Sequence, residues 1–182
     1  KEPIKKSNMN DALHSGFFNA KYSDMMKFTF MWENSGVNCK GLEQFKKYIW
    51  SYWMEYYFLD DRFYTIDNKL VFTVWSYTNF AKAFGNGADG AREAVKWMNE
   101  DAKAHGFDGV MIFFADGHAT EASAFENMAN NGGTAAYAYH WQQDGIYADT
   151  TIARLNRNAG HNKIHIVPTG SEGFNNVGWS GV

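Results

Sequence analysis

Two segments, Lys69-Leu-Val-Phe-Thr-Val-Trp-Ser-Tyr77 and Gly109-Val-Met-Ile-Phe-Phe-Ala115, decide the fold. The first is rich in β-branched and aromatic residues, which pack well on a pleated surface, and it reads as a strand. The second is almost wholly apolar, as expected of a strand covered on both faces. Between them, Ala91, Val95, Met98 and Ala102 form an apolar stripe at helical spacing within the stretch from Ala88 to Ala104, and Gly106 supplies a stop. Strands joined by a helix pair in parallel, so this is a βαβ unit.

The same rhythm extends in both directions. Upstream, an amphipathic stretch from Asn8 to Asn19 carries Met9, Leu13, Phe17 and Ala20, and Lys27 to Trp32 reads as a short buried strand. A helix pattern begins near Gly41, with Leu42, Phe45, Ile49, Tyr52 and Tyr56 on one face and Lys46 and Lys47 on another. Tyr48, Trp50, Trp53 and Phe58 on this helix are expected to serve packing or a partner-facing surface. Downstream come a helix from Ala122 to Asn130 ended by Gly132-Gly133, a strand from Thr134 to Trp141, a weaker helix from Ile152 to Asn158 and a strand from Lys163 to Pro168. Five strands alternating with helices predict one α/β domain over residues 1–182 with a parallel sheet.

A doubly wound sheet and a barrel both fit that alternation. Polar and aromatic residues gather where strands end: Trp32-Glu33-Asn34, Ser76-Tyr77, Asp116 with His118, His140-Trp141, and Gly170-Ser171-Glu172. Barrel enzymes place their chemistry at that end, which favours a (β/α)8 TIM-barrel type. A complete barrel takes about 250 residues, so 182 residues predict an incomplete portion of about five βα units. The chain starts at Lys1 with no signal peptide after it and is expected to begin inside a longer product or to have been trimmed.

Composition excludes several classes. Apolar residues make up 45% and aromatic residues 18%, too many for a disordered chain. Seventeen basic against twenty acidic residues, with no basic run, exclude nucleic-acid backbone binding, which needs clustered Lys and Arg. No apolar run approaches the roughly 18 residues of a membrane helix. The single Cys39 excludes an internal disulfide framework and has no nucleophile signature. Gly85-Asn-Gly-Ala-Asp-Gly90 matches G-x-G-x-x-G but does not follow a strand directly, so it reads as a loop before a helix. His161 and His165 have metal-type spacing, yet His165 falls in a predicted strand. No cofactor or metal is expected.

Ala12-Leu-His-Ser-Gly-Phe-Phe-Asn-Ala-Lys21, Lys27-Phe-Thr-Phe-Met-Trp-Glu-Asn34, Tyr56-Tyr-Phe58 and Arg62-Phe-Tyr-Thr-Ile-Asp-Asn-Lys-Leu-Val-Phe72 resemble the middle of glycoside hydrolase family 99-like (WbsX-type) proteins. The resemblance spans almost the whole chain and implies a (β/α)8 barrel that hydrolyses glycosidic bonds in a glycan, α-mannosides among them. Glycosyltransferase-type chemistry in surface-polysaccharide metabolism and non-catalytic glycan binding are the alternatives. Gly178-Trp179 looks like the family's Gly-Trp-Asp segment, with Ser180 where Asp is usual. The family's Asn-Glu-Trp-x-x-Glu motif does not occur, so the principal catalytic carboxylates are expected beyond Val182. An oligosaccharide or polysaccharide is the implied partner. A secreted, periplasmic or cell-surface location follows for a parent hydrolase.

Glu33 is the candidate acid. It sits between Trp32, on which a sugar can stack, and Asn34, which can bind hydroxyls. Glycoside hydrolysis uses two carboxyl groups, and Asp116 and Glu172 are the candidate partners by position. Tyr77, His140, Trp141 and Trp179 complete the set at predicted loop mouths. Each of these residues has an equally ordinary structural use, as a cap or a packed ring. An unclosed barrel also leaves two strand edges, through which self-association is expected.

Overall fold

The computed structural model describes residues 11–36, 39–117, 119–139 and 148–170, with 148–151 described by their backbone alone. Strands β1 (Met31–Trp32), β3 (Lys69–Val74), β4 (Gly109–Phe114), β5 (Ala135–Tyr137) and β6 (His165–Val167) lie side by side in chain order, every neighbouring pair parallel. A short β2 (Thr65–Ile66) turns back antiparallel onto β3. Its two-residue turn, Asp67-Asn68, has φ of 47° and 55°, the left-handed conformation that tight hairpins require.

Side chains alternate between the two faces of a strand. Leu70, Phe72 and Val74 of β3, Val110, Ile112 and Phe114 of β4, and Ala136 of β5 are buried together with Phe80, Ala94, Met98, Phe125 and Met128 from helices. The opposite parity makes a row across the sheet: Met31, Thr73, Phe113, Ala135 and His165. The Tyr137 hydroxyl lies 3.5 Å from Met31 Sδ, although β5 and β1 are three spacings apart, about 14 Å in a flat sheet. This face is therefore concave. The result is a mixed α/β fold whose mostly parallel sheet is flanked by helices, compatible with part of a (β/α) barrel.

The helix expected from Gly41 runs over 42–58, but its buried face is not the stripe that regular spacing predicts. Phe45, Trp50, Trp53, Met54, Tyr57 and Phe58 are buried, whereas Tyr56 is exposed. The reason is two wide turns, Phe45–Trp50 and Met54–Phe58, whose hydrogen bonds reach the fifth residue instead of the fourth. A five-residue step keeps Phe45 and Trp50, and then Trp53 and Phe58, on one side. The buried Trp50 satisfies its indole N–H on Asp101 Oδ2 at 2.7 Å.

Other differences are local. The expected strand Lys27 to Trp32 is laddered only at its end, with Phe28 bridged to Phe63. The stretch from Asn8 to Asn19, where described, is a wide turn Ala12–Gly16 followed by a tight turn Phe17–Asn19. A helix at Tyr77–Phe84 has no counterpart among the expected elements; Ser76 caps it, its hydroxyl accepting from Asn79 N–H at 3.4 Å.

The glycine pattern belongs to the turn between that helix and the helix Ala88–Ala104. Gly85 and Gly87 take φ of 71° and 57°, and a Cβ on Gly90 would lie 1.9 Å from the Gly85 carbonyl oxygen. These glycines shape a turn. Gly90→Ala should destabilise the protein by about 1–3 kcal/mol through this clash, measurable by thermal unfolding.

Arg62 ties the N-terminal segment to the body. Its guanidinium donates to both carboxylate oxygens of Asp60 at 2.8 and 2.7 Å and to Ser23 Oγ at 2.8 Å, and it lies over the rings of Phe17 and Phe18. Hydrogen bonding to Arg62 holds the Asp60 carboxyl below the usual carboxylate range. A carboxyl depressed in the folded state contributes stability above its unfolded pKa of about 3.9 and loses it as the pH falls through the lower folded value. Asp60→Asn should therefore lower the melting temperature at neutral pH and flatten its decline between about pH 4 and pH 2, as melting curves across that range will show.

Candidate functional site

The parallel ladder brings the ends of β1, β3, β4 and β5 to one rim of the sheet. Which residues open there is decided by parity. Trp32 pairs with Val74, and both belong to the helix-facing core. Its indole is 6% exposed, enclosed by Phe45, Trp53 and Phe80 with ring centroids 5.5–6.1 Å away. This corrects the expectation that a sugar stacks on Trp32. Adjacent strand residues point to opposite faces, so Trp32 and Glu33 cannot share one.

Asn34 is also corrected. It is fully buried, its Nδ2 donates to the Ser76 carbonyl at 2.9 Å, and its Oδ1 accepts from Ser76 N–H at 3.0 Å. The side-chain amide prolongs the β1–β3 ladder past its last backbone pair, leaving no hydroxyl-binding function. Tyr77 opens the helix Tyr77–Phe84, and its half-buried ring packs edge-on against Phe114 in the helix layer at 6.3 Å. It is not a loop-mouth residue. Asp116 does stand at the rim, where its Oδ2 accepts from Tyr77 N–H at 2.9 Å and so anchors the start of that helix. His140, Trp141, Glu172 and Trp179 lie outside the described residues.

Glu33 is exposed, and one carboxylate oxygen accepts from Ser35 N–H at 3.2 Å. The residue beside it on the concave face is Trp75, because Trp75 N–H donates to the Trp32 carbonyl at 3.0 Å and continues the register. Trp75 meets Tyr139 edge to face, with centroids 4.7 Å apart and planes at 82°. Tyr139 is 53% exposed. Beyond Trp75 in the same row come Ala115, which is buried, and then Tyr137. Burial raises the Tyr137 hydroxyl above its ordinary pKa, so at neutral pH it remains a donor.

Trp75, Tyr137 and Tyr139 are absent from the sequence-derived set. A signal for Trp75 was present: once Leu70, Phe72 and Val74 are placed in the core, alternation puts Thr73 and Trp75 on the other face. The rim offers an exposed carboxylate and two crossed rings, a combination suited to a ligand with hydroxyls on one side and C–H groups on the other. Burial pushes the Cys39 thiol up to about 11, away from nucleophile chemistry. Among the described residues, no helix is long and apolar enough to cross a membrane.

Trp32→Ala should cost about 3–5 kcal/mol of stability, the range for a buried aromatic residue, as denaturant unfolding will show.

Comparison of the chain with protein-family models, with curated proteins and with solved structures returned no match. The chemistry of the rim therefore carries the functional reading.

Proposed function

We propose that this chain is the glycan-facing arc of a (β/α)8 barrel of the glycoside hydrolase family 99-like kind, acting on an oligosaccharide or polysaccharide. The observation that carries this reading is the rim itself: Glu33 beside the crossed rings of Trp75 and Tyr139, at the C-terminal ends of parallel strands added in chain order. Chain-order addition supports a barrel arc because right-handed crossovers then place every helix on one side and leave the concave side to the ligand. A pyranose presents an apolar face to Trp75 while its hydroxyls donate to the Glu33 carboxylate in charge-assisted hydrogen bonds.

Hydrolysis needs a second carboxyl group across the scissile bond. Asp116 has one oxygen committed to Tyr77 N–H, which favours a helix-anchoring role for it. The arc accordingly supplies recognition and one acid, Glu33, and the 182-residue chain is expected to bind glycan without cleaving it.

Titration calorimetry with α-linked mannose oligosaccharides tests the reading. Binding should weaken about tenfold in Trp75→Ala, which corresponds to about 1.4 kcal/mol, and several-fold in Glu33→Gln. No heat of binding at millimolar sugar would overturn it, and so would affinity unchanged in both variants.

A further inference from the structure

The 42–58 helix lays a line of oxidisable rings beneath the sheet. Trp97 of the helix Ala88–Ala104 meets Trp50 with ring centroids 5.7 Å apart, and Trp50 meets Trp53 at 6.4 Å. Phe30 then bridges Trp53 to Tyr57, 4.9 Å from the one and 5.1 Å from the other. Trp50, Trp53 and Tyr57 are buried. Indole and phenol are the side-chain rings that give up one electron most readily, and steps this short allow an electron to tunnel between them. Charges are graded along the line. The Lys46 ammonium, paired with the exposed Glu43 at 2.7 Å, stands 5.0 Å from the Trp97 centroid and disfavours a positive charge on that ring. One ring further in, the Trp50 N–H donates to Asp101 Oδ2 at 2.7 Å, and the carboxylate favours positive charge there. At the inner end the Tyr57 hydroxyl lies 2.9 Å from His14 Nε2, with the Tyr52 hydroxyl 3.3 Å from the same nitrogen. Burial raises the Tyr57 hydroxyl well above its ordinary pKa. The phenol is therefore protonated at neutral pH, and it loses an electron readily only if its proton leaves with it. An imidazole nitrogen at hydrogen-bond distance is the acceptor that step needs.

We propose that this line is a one-electron relay that delivers an oxidising equivalent to Tyr57. A one-electron oxidant, of the class of a high-valent metal complex, acts beside Trp97 and takes an electron from Trp50. Trp53 refills Trp50, and Tyr57 refills Trp53. As that electron leaves, the Tyr57 O–H bond breaks and its proton forms an N–H bond at His14 Nε2. The products are the reduced oxidant, a neutral Tyr57 phenoxyl radical and a His14 imidazolium, with both indoles restored. The relay runs downhill, because near neutral pH a phenoxyl forms more easily than an indole radical. The rim residues Glu33 and Trp75 take no part, so the relay and the glycan reading stand or fall separately.

A photo-oxidant placed at the outer end tests the relay. His105 is exposed and lines one pocket with Trp50, Trp97 and Asp101, whereas the single Cys39 is 2% exposed. A ruthenium polypyridyl complex attached through His105→Cys in the full 182-residue chain, excited by a flash with a soluble electron acceptor present, therefore generates Ru(III) beside Trp50. Transient absorption should show an indole radical giving way to a phenoxyl, more slowly in D2O than in H2O. High-field electron paramagnetic resonance should find that phenoxyl hydrogen-bonded. Tyr57→Phe should lose the fast phase of phenoxyl formation and leave a longer-lived indole radical. Trp53→Phe, which keeps a ring in the core, should slow the phenoxyl's appearance. An indole radical that persists with Trp53 and Tyr57 both in place overturns the proposal, and so does a phenoxyl whose yield and rate are the same in both variants. If neither variant folds, the chain with its relay intact decides: a phenoxyl that forms without a solvent isotope effect and carries no hydrogen bond overturns the proposal.

Discussion

The pairing of β3 with β4, residue for residue from Lys69 on Gly109 to Val74 on Phe114, is the constraint on which the rest depends. A strand has a side-chain period of two, so one register decides for every residue whether it meets the helices or the concave face. It sends Leu70, Phe72, Val110 and Phe114 to the helix layer and leaves Thr73, Trp75 and Phe113 on the other side. Through β1 it also separates Trp32 from Glu33. The Asn34 side chain, bonded both ways to Ser76, extends the same register beyond the last strand residue of β1. The rim is thus a consequence of pairing several residues below it.

A second constraint is the volume of the aromatic side chains under β1 and β3. Phe30, Trp53, Phe58, Phe63 and Phe72 meet in one cluster, with ring centroids from 4.9 to 6.1 Å apart. An unbroken α-helix cannot aim Phe45, Trp50, Trp53 and Phe58 at a single cluster, because a five-residue step rotates a side chain well off the buried stripe. The wide turns in the 42–58 helix correct that rotation. Burial of large rings is worth about 1.5–3 kcal/mol each, enough to offset the poorer hydrogen-bond geometry of two such turns.

Much of this fold is legible in the sequence where the physical signal is long. The apolar run of β4, the stripe from Ala91 to Ala102 and the alternation of strands with helices all lie where the pattern places them. Short elements are not legible. β2 has two residues, and the helix Tyr77–Phe84 hides because Trp75-Ser-Tyr77 continues a β-rich run, although Ser76 and the spacing of Phe80 and Ala83 are its cap and its buried face. The site was half legible. Glu33 and Asp116 follow apolar runs, and position alone brings them to the rim. Trp75 stayed hidden inside a run read as a strand without sides. Trp32 drew attention because it is next to Glu33 in sequence, which on a strand guarantees that the two diverge.

Recognition and bond cleavage make different physical demands, and the proposed function rests on the first. Recognition of a sugar needs a flat apolar surface and directional acceptors within reach of it, and neither requires a perturbed pKa. Glu33 and Trp75 follow the neighbouring strands β1 and β3, and Tyr139, past β5, reaches Trp75 across β4. Acid–base cleavage further needs two carboxyl groups in different environments, one held protonated. Asp116 spends an oxygen on the first N–H of a helix, and its placement there holds that helix at the rim. The proposed glycan reading therefore asks the rim for recognition, with Glu33 beside Trp75 on the concave face.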